Sequence, residues 1–188
     1  MAPDSPIRHR LQALAHACDH LNERVGRAIS WLTLVMVVTT FLIVVLRYLF
    51  DLGWIAMQES VTYMHALVFM LGAAYTLKHD GHVRVDIFYL KASPRRRALV
   101  DLLGSLLLLM PMMLYIFFIS WDYVAVSWSL WEDSPETGGL PGVFLLKTAI
   151  LALGVLMSLQ GLAMAIHNGL FLAGIDTKPE QHSVEELK

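Results

Sequence analysis

The chain has 188 residues, of which 56% are hydrophobic and only 16% charged, and its formal net charge is −2. A soluble domain of this length shows short periodic elements, whereas this sequence contains four long stretches without a charged residue. The small net charge and the lack of a basic stripe interleaved with aromatic residues argue against a nucleic-acid-binding protein, and the single cysteine, Cys18, excludes an internal disulfide framework.

The first predicted element is an amphipathic helix within residues 7–27. Its apolar side chains recur at three- and four-residue spacing, and polar side chains occupy the other faces. The apolar members are Leu11, Leu14, Cys18, Leu21 and Val25. This pattern is typical of an interfacial helix on the cytoplasmic surface of a membrane; the alternative is a simple N-terminal extension of the first span. Residues 1–27 are therefore predicted to form a cytoplasmic segment.

Each charge-free stretch is about as long as the ~20 residues that a helix needs to cross a hydrocarbon core of ~30 Å. Lipid offers no hydrogen-bond partners to the backbone, so the stretches are predicted to be α-helices. The predicted spans cover residues 27–48, 57–78, 98–121 and 143–168. The first run is too long for the apolar part of a cleavable signal peptide, so we expect a retained span. The predicted fold is an all-α integral membrane protein, with a transmembrane domain at residues 28–168 and a polar cytoplasmic tail at residues 169–188.

The connections carry further signals. Residues 51–54 predict an outer turn, and Ser93 followed by Pro94 predicts the start of the third span. Pro111 is expected to kink that span, because proline removes a backbone donor and clashes with the preceding turn. Apolar and polar residues alternate within 83–88, a pattern compatible with an extended segment and with an interfacial helix. The conformation of residues 79–93 therefore stays open.

The distribution of positive charge predicts the orientation. Twelve of the fourteen Lys and Arg residues precede the first span, separate the second from the third, or follow the fourth. The remaining two are Arg47, near the connection between the first and second spans, and Lys147, near the connection between the third and fourth. The positive-inside rule then puts both termini in the cytoplasm.

Charged residues recur at the predicted outer ends of all four spans. They are Arg47, Glu59, Asp122 and Lys147, two positive and two negative. Mutual pairing would lower the cost of holding these charges near the bilayer. Two interpretations stay open: a salt-bridge cluster that fixes helix packing, and a docking surface for a partner. Trp54 lies on the same side, where an aromatic belt is expected.

Polar residues inside the spans are few. His65 is the only ionisable residue well inside a span, and we expect it to be buried, neutral and hydrogen-bonded. Haem ligation would need a second histidine at the same depth, but His167 lies near the inner end of the fourth span. Gln160 in the fourth span and Thr39 in the first are candidates for interhelical hydrogen bonds. Gly154 and Gly161 share one face and can let another helix approach closely.

The sequence has none of the common catalytic motifs. It lacks a P-loop, an HExxH motif, a GxSxG motif and a glycine-rich dinucleotide loop. We therefore predict a protein that is not an enzyme and that has no catalytic residue, no cofactor and no metal site.

Four sequence features occur together and in a fixed order. They are Trp54 followed by Gln58 and Glu59, the segment 71–78, the segment 82–89, and the segment 136–141 leading to 145–147. This combination resembles the small permease (Q) subunit of TRAP transporters, the tripartite ATP-independent periplasmic carriers. Within that family it is most similar to the branch associated with mannitol and chloroaromatic compounds. The resemblance covers residues 25–170.

The resemblance implies a subunit of a bacterial inner-membrane carrier. In such systems a periplasmic binding protein delivers an organic acid or a related solute to a complex of small Q and large M subunits, and ion-coupled transport takes place in the large subunit. The small subunit would act as a scaffold and offer part of the docking surface. The resulting candidates for packing and docking are Arg47, Trp54, Glu59, Asp122 and Lys147. Among the four charges, only Glu59 and Lys147 lie within the matched segments.

Two other functional classes stay open at this point. The first is a small membrane electron carrier that holds haem between its helices, against which the mismatched histidine depths argue. The second is a membrane assembly factor with transient partners. Each of the three hypotheses includes the lipid bilayer as a partner and excludes nucleic acid.

Overall fold

The computed structural model describes residues 6–82, 89 and 91–175. Within those residues the fold consists of four long helices without any strand: α1 (Pro6–Phe50), α2 (Ile55–Lys78), α3 (Pro94–Leu130) and α4 (Val143–Leu172). All four are long and apolar enough to cross a membrane. The predicted all-α membrane fold with four spans is therefore confirmed. Residues 83–88 and 90, on which the open question about the inner connection falls, and the tail from residue 176 lie outside the described residues.

The amphipathic segment and the first span form one continuous helix. α1 has 45 residues, which corresponds to a length of about 68 Å. Of the two interpretations of residues 7–27, the extension of the first span is the one that the structure contains. The buried face of this half coincides only in part with the apolar face: Cys18 is buried, whereas Leu11, Leu14 and Leu21 are 37–46% exposed. The face that packs inward carries small or amide side chains: Ala15, Cys18, Asn22 and Gly26.

The proline in the third span widens the helix without ending it. α3 consists of an α-helical part at Pro94–Gly104, a π-helical turn at Ser105–Leu109 and a second α-helical part at Met110–Leu130. Pro111 has no N–H to donate to the carbonyl four residues before it, and its ring clashes with that group. This carbonyl belongs to Leu107, inside the π-helical turn. The predicted disturbance at Pro111 therefore takes the form of a wider turn.

The fourth helix is the centre of the bundle. Of the most apolar window of α4, 44% is buried inside the chain, against 0, 6 and 11% for α1, α2 and α3. Gly154 and Gly161 permit close packing, as predicted. A Cβ atom at Gly154 would lie 3.1 Å from Cβ of Phe117, and one at Gly161 would lie 3.0 Å from Cδ2 of Leu109. α4 therefore packs tightly on α3 while also contacting α1 and α2.

Candidate functional site

The end of the bundle that is predicted to face outward is closed by the loop between α3 and α4, which we call the outer loop. Glu59 of α2 holds this loop in place. One carboxylate oxygen of Glu59 accepts a hydrogen bond from the backbone N–H of Leu140 at 2.6 Å, and the other accepts one from the hydroxyl of Ser134. A Cβ atom at Gly139 would lie 2.7 Å from Oε2 of Glu59 and closer still to Ser134, so a larger residue would require both side chains to shift. Glu59 thus braces the outer loop against the second span.

Lys147 braces the same loop from α4. Its Nζ donates to Oε2 of Glu132 at 2.5 Å and lies 4.0 Å from the centre of the Tyr123 ring. The side chain of Lys147 is only 15% exposed, whereas that of Glu132 is 37% exposed. The hydrogen bond from Lys147 lowers the pKa of Glu132 below its ordinary value. The ammonium group therefore has both a carboxylate and an aromatic face as partners.

Aromatic side chains complete the outer end. The rings of Trp128, Trp131 and Phe144 contact one another in edge-on arrangements, with centroids 4.7–6.0 Å apart. The indole N–H of Trp128 donates to the hydroxyl of Thr148 at 2.8 Å. These contacts join the last turn of α3 to the first turn of α4, which makes the outer loop a fixed part of the bundle.

The predicted pairing among the four outer charges does not occur. Glu59 binds Ser134 and Leu140, and Lys147 binds Glu132, so the two charges do not bind each other. Arg47 and Asp122 are exposed, and neither side chain makes a hydrogen bond or ion pair within the part of the chain that the structure describes. Trp54, at the start of α2, is 59% exposed. Hydropathy predicts the depth of each charge but not its direction around the helix, and the loop supplies nearer partners than the other spans do.

A stripe of three polar side chains and one aromatic ring runs along the exposed face of α2. Its members follow the three- and four-residue spacing of one helix face, and we call them the α2 stripe: Gln58, Thr62, His65 and Phe69. Gly72 continues this face, and nothing lies within 4 Å of a Cβ atom built on it. The prediction that His65 is buried and hydrogen-bonded is wrong, because His65 faces outward from the chain. Hydropathy alone does not reveal on which side of a helix a polar residue lies.

The opposite half of the bundle, predicted to be the inner half, contains a chain of polar side chains between α1 and α4. Asn22 donates to Oε1 of Gln160 at 2.8 Å and to the carbonyl of Leu156 at 3.3 Å. Gln160 donates to Oδ1 of Asp19 at 3.0 Å, and Oδ2 of Asp19 lies 2.8 Å from Nε2 of His167. Both Asn22 and Gln160 are fully buried, at 1 and 2% exposure.

Gln160 therefore does form an interhelical hydrogen bond, as predicted, but not with the expected region of α1. Thr39 instead bonds to the carbonyl of Val35 in its own helix. The partners Asp19 and Asn22 belong to the segment that was interpreted as a surface helix, so the pairing was missed. The only signal in the sequence was the helical spacing that puts Asn22 on one face with Ala15 and Cys18, beside the leucines.

A second inner contact joins α1 to α2. The carboxylate of Glu23 accepts hydrogen bonds from Lys78 at 2.6 Å and from Arg27 at 2.8 Å, and it lies 2.8 Å from Nε2 of His79. Gly26, one turn farther along α1, packs against the ring of Tyr75. The two helices are therefore connected by charge and by close packing at the same level.

Comparisons with known proteins identify the family of this chain. No solved structure gives a significant match to the chain. A curated relative, the C4-dicarboxylate TRAP transporter small permease protein DctQ of Vibrio cholerae serotype O1, is 28% identical over 106 residues. The aligned region covers 52% of this chain and 46% of that relative, so the match spans about half of each protein.

The family comparison covers most of the four-helix bundle. The model of the DctQ component matches residues 36–168, from the middle of α1 to the last turns of α4. This range contains Glu59, Lys147 and the whole outer loop. The chain is therefore a member of the DctQ component family of the tripartite ATP-independent periplasmic transporters.

Proposed function

We propose that this chain is a scaffold subunit of a TRAP-type secondary transporter. It would hold a large permease subunit in the inner membrane and help to dock a periplasmic solute-binding protein during ion-coupled uptake of an organic acid or a related solute. Family membership supports this proposal and does not favour the haem-carrier or assembly-factor alternatives. The branch associated with mannitol and chloroaromatic compounds stays a prediction from the sequence motifs.

The observation that carries the proposal is the polarity of the α2 stripe. The exposed faces of α1 and α3 carry mainly apolar side chains, such as Val38 and Phe41 on α1 and Leu107 and Phe118 on α3. The exposed Thr40 of α1 satisfies its hydroxyl within its own helix, by donating to the carbonyl of Met36. Such side chains are suited to lipid. Polar side chains inside a membrane, by contrast, normally face a protein neighbour or a water-filled cavity. The α2 stripe is therefore the face that needs a protein partner.

The depth of His65 strengthens this reasoning. His65 lies ten residues after the start of α2, or about 15 Å along the helix axis, which is roughly half of a ~30 Å hydrocarbon core. At that depth an imidazole cannot reach water at either interface, as a lysine near a helix end can. A neighbouring helix with a hydrogen-bonding group would satisfy it. We assign this role to a transmembrane helix of the large permease subunit.

A scaffold must also resist the forces of a moving partner, and the contacts within the chain are suited to this. At the outer end, Glu59 and Lys147 attach the loop to α2 and α4. At the inner end, Glu23 attaches α1 to α2, and Gln160 attaches α4 to α1. α2 and α4 are therefore connected through the outer loop, α2 and α1 through Glu23, and α1 and α4 through Gln160.

The outer rim is our candidate for contact with the solute-binding protein. Arg47 lies in the last turn of α1 and Trp54 in the turn before α2, whereas Asp122 lies about two turns before the end of α3; all three are exposed and together offer both charges and an aromatic ring. Glu59 and Lys147 would contribute indirectly by holding the loop in shape. This assignment requires both termini to be cytoplasmic, the orientation that the positive charges predict.

Copurification with the large permease subunit tests whether the α2 stripe is the face that contacts this subunit. Thr62→Trp puts a bulky ring on the stripe, and Thr40→Trp makes the same change on the exposed apolar face of α1. Overpacking an interface costs about 1–3 kcal/mol, so Thr62→Trp should lower the recovery of the large subunit about fivefold or more. Thr40→Trp should leave recovery and solute uptake unchanged.

Membrane levels of both variants are measured first, so that recovery is compared per inserted chain. Equal recovery of the large subunit with the two variants would show that the α2 stripe is not the contact face. Loss of recovery with Thr40→Trp alone would assign the contact to α1 instead.

A further inference from the structure

We propose that His16, Asp19 and His167 form a binding site for a divalent transition-metal ion at the inner end of the bundle, with Zn²⁺ as the fitting ion. Each residue offers one donor atom, and the three donor atoms lie within 4.8 Å of one another. Two imidazoles and one carboxylate are a recurrent donor set for Zn²⁺ and for similar divalent metals. This inference does not depend on the proposed transport function.

The distances suit a single ion. Nε2 of His167 and Oδ2 of Asp19 are 2.8 Å apart. Two ligands of a tetrahedral zinc ion with bonds of ~2.0–2.1 Å lie about 3.3 Å apart, so these atoms need to separate by only about 0.5 Å. The rings of His16 and His167 face each other edge-on, with centroids 5.6 Å apart. His16 is exposed, so its ring can turn toward the ion, and a fourth ligand can come from water.

A buried hydrogen-bond chain orients the carboxylate. Oδ1 of Asp19 accepts a hydrogen bond from Gln160, whose own oxygen accepts one from Asn22. Both amides are fully buried, so they hold Asp19 with its other oxygen toward His167. Such support of a ligand by groups behind it is a general property of protein metal sites.

The same donor set argues for a transition metal over Ca²⁺ or Mg²⁺. Those ions take six or more oxygen ligands, whereas this cluster has one carboxylate and two imidazoles. Cys18, next to Asp19 in sequence, is not a ligand, because it is buried in an apolar cluster with Ala15 and Ala163. A bound ion would join residues 148 positions apart and so fix the N-terminal half of α1 to the end of α4.

Zinc titration of the purified full-length chain tests the site. The chain carries a tag without histidine and is stripped of metal with a chelator, after which Zn²⁺ is titrated against a chromogenic competitor. We expect one Zn²⁺ per chain. The variants His16→Gln and Asp19→Asn should bind about tenfold more weakly or not at all. His20→Gln is the matched control, since it removes an exposed neighbouring histidine outside the cluster. It should bind Zn²⁺ like the unaltered chain.

Substitution with Co²⁺ gives an independent readout, because a tetrahedral site with nitrogen and oxygen ligands produces visible absorption that His16→Gln should remove. If Asp19→Asn fails to fold, His16→Gln decides the question, since its side chain is exposed. The proposal is overturned if the unaltered chain retains no Zn²⁺, or if His16→Gln and His20→Gln bind it equally.

Discussion

Gly26 allows α1 and α2 to approach closely, and replacing it with alanine should force the two helices apart. A Cβ atom at this position would lie 2.3 Å from Cγ and 2.4 Å from Cβ of Tyr75. These atoms are next to the backbone of α2, so rotating the ring does not relieve the contact. The matched control is Gly72→Ala, also inside a helix, where nothing lies within 4 Å of the new methyl group.

The pair of variants separates the steric cost from helix propensity. Replacing glycine with alanine inside a helix gains about 1 kcal/mol at either position. At Gly26 the new atom needs more than 1 Å of additional space to reach an ordinary contact distance, and overpacking of this kind costs about 1–3 kcal/mol. Gly26→Ala should therefore be less stable than Gly72→Ala by about 1–3 kcal/mol. For a chain of this size the difference corresponds to roughly 2–12 °C in melting temperature.

The single cysteine provides the assay. Cys18 is buried between α1 and α4, so a thiol-reactive fluorescent dye labels it only when the bundle opens. Dye labelling during heating of the purified chain in detergent therefore reports unfolding in both variants with the same probe. Equal melting temperatures for Gly26→Ala and Gly72→Ala would refute the close approach of α1 and α2.

Two further predictions concern polar contacts. Asn22→Leu removes the donor to the buried oxygen of Gln160 and should lower the free energy of unfolding by about 1–3 kcal/mol. In the same melting assay, the double variant with Gln160→Leu should lose less stability than the sum of the losses in the two single variants. The pKa of Glu132 is lowered by its bond to Lys147, so this pair stabilises the fold above the ordinary pKa of 4.5 and the contribution is lost as the pH falls through the lower folded-state pKa. The difference in melting temperature between the unaltered chain and Glu132→Gln should therefore shrink below pH 4.5, and a difference that stays constant with pH would contradict this reasoning.

Length, hydropathy and helix-breaking residues were sufficient to predict the four helices. The start of α4 at Val143 and the end of α2 at Lys78 agree with the predicted spans, because proline, glycine and charge mark those points. Residues 7–27 were harder to interpret. Their leucines suggest a face toward lipid, whereas the face that packs within the chain consists of small and amide side chains, for which hydropathy patterns give little signal.

The sequence was sufficient to predict how far along each helix the candidate residues lie, but not toward which neighbours their side chains point. The sequence predicts that Glu59 and Lys147 lie at the same end of the bundle, and in the structure both contact the loop between α3 and α4. Their partners come from the outer loop, and loop conformation depends on backbone contacts such as the one at Leu140 that side-chain patterns do not reveal. His65 shows the same limit, since a lone polar residue in an apolar run gives no indication of which face it occupies.

The length of α4 has a consequence for the surrounding bilayer. Its 30 residues measure about 45 Å, roughly 15 Å more than a typical hydrocarbon core. An isolated helix would accommodate such hydrophobic mismatch by tilting or by thickening the membrane. Here the N-terminal half of α1 covers part of the inner end of α4, through Ala15 and Cys18 against Ala163 and through Asp19 against His167. The part of α4 that exceeds a hydrocarbon core is thus packed against α1 of the same chain, which leaves less of it for lipid or water to cover.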